Sequence, residues 1–220
     1  MPCLYYMRKI LLFGLLLVVI GLFYYSWQGS PGATPPPVPA DPAYATQVRQ
    51  AREQKDQAFR TAATSPIDSA ARPAFQGLRY YKPNAAYRVV ARLTRAAVPT
   101  PEPLGLSGGG QPDAYVRFGT AEFALGGQPQ RLLLLQKQGL AAGGELFVPF
   151  TDPTNGQQTY AAGRYLDLPA PADTATRLTL DFNAAYNPFC AYNHAYSCPK
   201  PPADNRLTVP VLAGEQQYQP

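Results

Sequence analysis

Residues 145–168 read ELFVPFTDPTNGQQTYAAGRYLDL, and this stretch decides the fold class. Two runs that suit β-strands, 145–150 and 158–168, flank the tripeptide Thr154-Asn155-Gly156. Asn-Gly is a strong hairpin signal because both residues accept the positive φ angles of a tight turn. We therefore expect the two runs to pair as antiparallel strands.

Short β-type runs extend along most of the chain and are separated mainly by Gly- or Pro-containing connections. The composition agrees, since it includes 25 Pro, 18 Gly and 15 Tyr but only 15% charged residues, and this favours strands and turns over long helices. The pattern predicts a mainly β domain, an antiparallel β-sandwich or flattened barrel. Residues 98–112 are expected to be a disordered insertion. Nine strands are predicted: 77–82, 87–94, 114–119, 122–127, 130–138, 145–150, 158–168, 177–183 and 206–213.

One amphipathic helix is predicted before the strands, over residues 43–62. Asp41 and Pro42 suit the cap and the first position of a helix. Apolar residues from Tyr44 to Phe59 then recur at spacings of three and four, and the opposite side is polar, so it is expected to face solvent.

The N-terminal segment predicts the location of the protein. Residues 10–25 form an uncharged apolar run, ILLFGLLLVVIGLFYY, preceded by Arg8 and Lys9. Under the positive-inside rule this pattern indicates a single-pass anchor in the cell membrane, with the C-terminal domain outside the cytoplasm, periplasmic or extracellular. A cleaved signal peptide is the alternative, with Ser30 to Gly32 as the best cleavage site.

Three regions are therefore expected. Residues 1–28 form the anchor or signal peptide, 29–41 form a linker that contains five prolines, and 42–220 form the β domain. The chain carries a net charge of +5, but beyond Arg8 and Lys9 it has no run of consecutive basic residues. A nucleic-acid partner is therefore not expected.

A second informative segment, 181–215, reads DFNAAYNPFCAYNHAYSCPKPPADNRLTVPVLAGE and concentrates Asn, Tyr, Pro and two Cys. Together with LFVPFTDPTNGQQTYAAGRYLDL at 146–168, it resembles the bacterial and archaeal family DUF1684, a domain of unknown function. The resemblance runs from about residue 55 to 218. It departs from the family pattern at Ala161-Ala162, where the pattern usually carries glycine. The family has no established activity, so the resemblance implies no reaction.

Cys190 and Cys198 are predicted to form a disulfide, because nearby cysteines outside the cytosol normally oxidise. The alternative is a metal site, since Cys190, His194 and Cys198 are spaced by four and would share one face of a helix. The tyrosine- and asparagine-rich sequence that ends at Pro199 does not favour a regular helix. No metal site is therefore assigned.

A polar set within the two family-like blocks supplies the candidate ligand-binding residues. Arg164 is its one basic member, and a guanidinium can hold a carboxylate or phosphate through two parallel hydrogen bonds. The alternative is that Arg164 and Asp181 form an internal ion pair and that Asp152 and Asn183 cap turns. The candidates are Asp152, Thr159, Tyr160, Arg164, Asp181, Asn183, Tyr186, Asn187, Asn205 and Glu215.

The sequence therefore predicts a membrane-tethered extracytoplasmic domain that binds a small polar or anionic ligand or an envelope component. A sugar-stacking face is one possible form of that site. The alternatives are a carboxylate-dependent hydrolase and a purely structural interaction module. No nucleotide fingerprint is present, and no cofactor is expected. The tyrosines considered for the stacking face are Tyr160, Tyr165, Tyr186, Tyr192 and Tyr196, and the carboxylates considered for hydrolysis are Asp152, Asp167, Asp181 and Glu215.

Overall fold

The computed structural model describes residues 43–110, 113–139 and 144–219. The predicted anchor at 1–28 and the linker at 29–41 lie outside these ranges. Within the described ranges, no helix combines the length and the apolar character needed to cross a bilayer.

The predicted helix is confirmed as α1, Tyr44–Thr61. Tyr44 and Phe59 are its buried residues, as the spacing of its apolar side chains predicts. Its polar side is less solvated than expected. Arg52 donates to the backbone carbonyls of Tyr81 and Asn183, so α1 is hydrogen-bonded to the rest of the domain as well as packed on it.

Seven strands form one antiparallel sheet in the described residues. Its order is β6-β5-β4-β3-β1-β7, with the short β2 beside β3. The sheet curls into a half-barrel, so the prediction of a mainly β antiparallel domain with one helix is confirmed, but a second sheet to complete a sandwich is not seen in the described ranges. The strands are β1 Arg88–Arg95, β2 Pro101–Glu102, β3 Tyr115–Leu125, β4 Gln128–Lys137, β5 Glu145–Phe150, β6 Arg164–Pro169 and β7 Arg177–Asp181.

The hairpin from β5 to β6 confirms the antiparallel pairing predicted from Asn155-Gly156, with a register that runs from Glu145 opposite Pro169 to Phe150 opposite Arg164. Gly156 has φ +78°, as the turn requires. β6 begins six residues later than predicted, because residues 154–163 form a turn-rich loop in which backbone N–H groups bond within the loop.

Two predicted strands are not formed. Residues 77–82 and 206–213 contribute only isolated bridges, Tyr80 with Glu215 and Thr151 with Arg206. Pro210 lacks the N–H that a continuous ladder needs. Conversely, 114–119 and 122–127 join into the single strand β3, which continues past a register shift between Arg117 and Gly119.

Both faces of the sheet are covered. The main core lies on one face and includes Leu132, Leu134 and Phe150. On the other face, Leu133 and Leu135 pack with Leu104, which belongs to the segment expected to be disordered. The run of four leucines in β4 is therefore continuously buried, as in strands covered on both sides.

Candidate functional site

Arg164 at the start of β6 is completely buried, and both terminal nitrogens of its guanidinium have acceptors, whereas Nε has none among the described residues. Nη2 lies 2.9 Å from a carboxylate oxygen of Asp152, which is also buried, and donates to the carbonyl of Val211. Nη1 donates to the carbonyls of Ala213 and Glu215. The predicted partner Asp181 is therefore not the one observed. Arg164 joins the 152–160 loop, β6 and the 211–215 segment, and it has no surface from which to hold a ligand.

Asp181 forms a separate cluster below α1. Its carboxylate accepts hydrogen bonds from the Tyr44 hydroxyl at 2.7 and 2.8 Å and from the backbone N–H of Asn183. The Asn183 amide in turn exchanges hydrogen bonds with the backbone of Asn84. Asp181 and Asn183 therefore attach α1 and the 84–87 turn to the end of β7.

Glu215 is the centre of a third buried cluster. It pairs with Lys55 of α1 at 2.5 Å and accepts hydrogen bonds from the Tyr192 hydroxyl and the backbone N–H of Asn187. Asn187 also donates to the carbonyl of Gln216. These contacts fix the 186–192 segment against α1 and the C-terminal segment.

The remaining buried candidates complete the framework. Asn205 bonds through its amide to both backbone groups of Leu133 and to the carbonyl of Pro149, where the short β4–β5 ladder has no pairing. The Thr159 hydroxyl bonds to Thr154 and stabilises the loop before β6.

A cleft of about 380 Å³ lies on the second face of the sheet, beside β5 and β6, and the segment 186–199 forms its other wall. Of the ten candidate residues, only Tyr186 lines it. Tyr165 and Tyr196 of the predicted stacking face line it as well. Its polar and aromatic residues include Asp113, Tyr115, Lys137, Glu145, Phe147, Tyr165, Asp167, Tyr186, Phe189 and Tyr196.

The aromatic side chains of the cleft contact one another in a series that begins with one stacked pair, Tyr115 and Phe147 at 28°, and continues with rings that are nearly perpendicular. Phe147 and Tyr165 meet at 76° and Tyr165 and Tyr186 at 89°, with ring centroids 4.7 and 5.7 Å apart. Tyr186 belongs to the wall formed by 186–199, and further along that wall Phe189 and Tyr196 meet at 76°. The Tyr165 hydroxyl donates to the carbonyl of Pro199, which holds the wall formed by 186–199 to the sheet.

Asp167 is the acid at the centre of this surface. It accepts a hydrogen bond of 2.6 Å from the Tyr186 hydroxyl. Removal of solvent by the surrounding residues raises the pKa of Asp167, and the charge of Glu145 acts in the same direction, whereas the Tyr186 hydrogen bond and the charge of Lys55 oppose it. Loss of solvent, followed by the charge and the hydrogen bond of Asp167, also raises the pKa of Tyr186, so this tyrosine remains a hydrogen-bond donor.

Cys190 and Cys198 are adjacent and Cys198 lines the cleft, but both are free thiols, so the predicted disulfide is not formed in the structure. The backbone N–H of Cys190 instead donates to the sulfur of Cys198 at 3.1 Å. Burial, with a hydrogen bond to Cys190, raises the pKa of Cys198 to about 12, so it remains a protonated thiol at neutral pH. The half-buried Tyr160, another candidate, donates to the sulfur of Cys190.

The helical geometry considered for a metal site is also absent from this segment. Only Phe189–Ala191 is helical, as a single 3₁₀ turn. Over the described ranges, no three His, Cys, Asp or Glu side chains are grouped so that they could hold a metal ion.

Sequence reasoning missed Glu145 and Phe147 as site residues, although a signal for them exists. Alternate residues of a strand share a face, and Leu146 and Val148 are buried in the main core. Glu145 and Phe147 must then face the other side, where Tyr165 and Asp167 lie for the same reason on β6. The alternation of side chains along β5 and β6 therefore predicts that Glu145, Phe147, Tyr165 and Asp167 share one face, and these residues form one wall of the cleft.

Comparison with known proteins identifies the family of the chain. The family model described as a protein of unknown function, DUF1684, matches residues 73–216. A solution NMR structure of an uncharacterized protein from Haloarcula marismortui is similar, with a TM-score of 0.62 and 37% identity over 79% of this chain and 94% of that one. A search of curated proteins finds no match. The chain belongs to the DUF1684 family.

Proposed function

We propose that this protein is a binding domain that holds a small polar ligand in the cleft between β5–β6 and the segment 186–199. A volume of about 380 Å³ suits a small molecule. The observation that carries the proposal is the exposure of the Phe189–Tyr196 pair. These side chains are 40% and 38% exposed, although they line a concave surface whose opposite wall is also aromatic. Exposed aromatic groups in a cleft are typical of ligand contact surfaces.

A non-catalytic role fits the carboxylates better than hydrolysis does. Of the four carboxylates considered for hydrolysis, Asp152 and Glu215 are buried in ion pairs, and Asp181 is engaged by Tyr44. Only Asp167 faces the cleft. An anionic ligand is also less favoured, because Arg164, on which that expectation rested, is committed to the interior.

The proposed setting is the outer side of a membrane. Support comes from the sequence, in which Arg8 and Lys9 precede the apolar run at 10–25 and the proline-rich stretch 29–41 would hold the domain away from the bilayer. Protease added to intact spheroplasts should digest the chain beyond residue 29. Full protection would contradict this setting, and a mature N-terminus near Ala33 would replace the anchor with a cleaved signal peptide.

Binding in the cleft is tested with Tyr196→Ser and a matched control, Leu212→Ser. Both side chains are exposed to a similar extent, 38% and 41%, but Leu212 does not line the cleft. The full chain in non-ionic detergent is titrated with tetramethylammonium, glucose and acetate, and binding is followed by saturation-transfer NMR. At least one probe should bind and lose about tenfold or more in affinity in Tyr196→Ser alone. No binding, or equal losses in the two variants, would contradict the proposal.

A further inference from the structure

We propose that the cleft selects a small organic cation, a quaternary or protonated amine. This inference rests on the proposed function and names the class of its ligand. Two independent observations support it: unneutralised negative charge inside the cleft and the orientation of its aromatic rings.

The charge of the cleft is negative although the chain as a whole carries +5. Among the residues that the structure describes, Lys137 is the one basic residue that lines it, and Lys137 pairs with Asp113 at 2.7 Å. Neither Glu145 nor Asp167 takes part in an ion pair within the described part of the chain. Two carboxylates therefore remain to balance the charge of a ligand, and a cation is complementary to them.

Glu145 and Asp167 also lie near each other. On the paired strands β5 and β6, Asp167 is opposite Phe147, two residues from Glu145 and on the same face. Glu145 raises the pKa of Asp167, which agrees with this proximity. One bound ammonium group can therefore interact with both carboxylates, and it would relieve their mutual repulsion.

The aromatic rings suit a compact cation better than a flat sugar. A sugar stacks on an extended ring face. Tyr115 and Phe147 are stacked at 28°, but the ring planes then turn by 76° from Phe147 to Tyr165 and by 89° from Tyr165 to Tyr186. Ring faces that point in several directions, together with Phe189 and Tyr196 opposite, can contact an ammonium group from more than one side. Cations are attracted to ring faces by the quadrupole of the π system, and groups of aromatic rings are used to bind quaternary ammonium ions.

The protein already contains a local example of this chemistry. The ammonium group of Lys55 lies 4.8 Å from the ring centroid of Tyr186 and 5.2 Å from that of Phe59, with the buried carboxylate of Glu215 at 2.5 Å. Lys55 does not line the cleft, whereas Tyr186 does. The combination of rings and a carboxylate is what Glu145, Asp167 and the cleft aromatics would offer a ligand.

The test compares tetramethylammonium with tert-butanol, a neutral molecule of similar shape, on the full chain in non-ionic detergent at low salt. The wild type should bind tetramethylammonium at least tenfold more tightly than tert-butanol. Glu145→Gln and Asp167→Asn should each weaken the cation about tenfold and leave tert-butanol unchanged. Asp173→Asn, which removes an exposed acid outside the cleft, should change neither. Glu145 is exposed and takes part in no ion pair with another described residue, so Glu145→Gln should retain the native melting temperature.

Equal affinity for the two probes, or wild-type affinity for the cation in both acid variants, would overturn the inference. The proposed function would survive this if glucose or acetate bound in a manner that depends on Tyr196. If no probe showed that dependence, both would fail.

Discussion

Arg164 shows how a residue with the chemistry of a ligand clamp can serve the fold instead. A guanidinium has five donors and cannot be deprotonated in a protein, so its burial is tolerated only where acceptors surround it. The acceptors here are Asp152 and three backbone carbonyls from 211–215. The sequence predicted an important Arg164, but its partner is set by tertiary contacts between segments far apart in the chain.

Arg164→Met should lower the free energy of unfolding by about 3–5 kcal/mol, because it leaves the Asp152 carboxylate buried without its partner. Arg92→Ala is the control, because the Arg92–Glu122 pair is exposed and should contribute less than about 1 kcal/mol. Chemical denaturation of the two variants measures both. A loss below 1 kcal/mol for Arg164→Met would contradict the structural role, and the Arg164→Met Asp152→Asn double variant should lose less than the sum of the single changes.

Gly214 and Gly127 have the same left-handed backbone, φ +75°, but different surroundings. Alanine substitutions at the two positions therefore distinguish the cost of backbone strain from the cost of a steric clash. A Cβ on Gly214 would lie 2.5 Å from the carbonyl oxygen of Ala185, whereas one on Gly127 would meet no atom within 4 Å. Gly127→Ala should cost about 1 kcal/mol for the left-handed backbone, and Gly214→Ala about 1–3 kcal/mol more for the clash. Thermal melts of the two variants measure the difference, and equal losses would show that Ala185 can move away.

At the scale of elements, the parts predicted correctly are those decided by local sequence. The helix α1 follows from apolar spacing, and the β5–β6 hairpin follows from Asn155-Gly156. The runs 77–82 and 206–213 have strand-like composition, but each forms only a single isolated bridge, Tyr80 with Glu215 and Arg206 with Thr151. A segment forms a strand only if a neighbouring strand pairs with it along its length, and the composition of the segment does not show whether such a neighbour exists.

The segment 186–199 is held by side chains and turns rather than by regular structure. The reactivity of its two cysteines measures how well it is packed. At pH 7.5 the raised pKa of Cys198 keeps its thiolate scarce, so alkylation by iodoacetamide should be slow in the native protein. Denaturation without reductant should release both thiols, and peptide mapping separates them from Cys3. Cys190 and Cys198 joined in that map would instead support the disulfide predicted from the sequence.

At the scale of the whole molecule, one face of the curled sheet carries the main core, and the other carries a smaller apolar cluster and the cleft. Most residues that the sequence suggested as a binding site, such as Arg164, Asn205 and Glu215, are buried and stabilise the fold. Buried polar side chains are commonly hydrogen-bonded to backbone groups, so their presence does not by itself indicate a site. The cleft joins β5 and β6 to a segment about 20 residues further along the chain. Strand alternation could place Glu145 and Asp167 on one face, but only the fold shows that Phe189 and Tyr196 lie opposite.

Cation binding should weaken on acidification at a higher pH than an ordinary aspartate would cause. The pKa of Asp167 is raised, so its charge is lost earlier as the pH falls, and the neighbouring Glu145, Lys55 and Tyr186 are the other titratable groups involved. The affinity for tetramethylammonium should therefore be greatest near neutral pH and fall as Asp167 is protonated. Titrations from pH 7.5 to 4 measure this, and Asp167→Asn should flatten the upper part of the profile. An unchanged profile in that variant would show that a group other than Asp167 causes the pH dependence of the affinity.

The most direct test of the cleft as the binding site is the set of intermolecular NOEs between the methyl protons of tetramethylammonium and the aromatic protons of the full chain. We expect NOEs to the rings of Phe147, Tyr186 and Tyr196, from both walls of the cleft. NOEs confined to aromatic residues outside the cleft, such as Tyr87 or Phe118, or no NOEs at millimolar ligand, would contradict it.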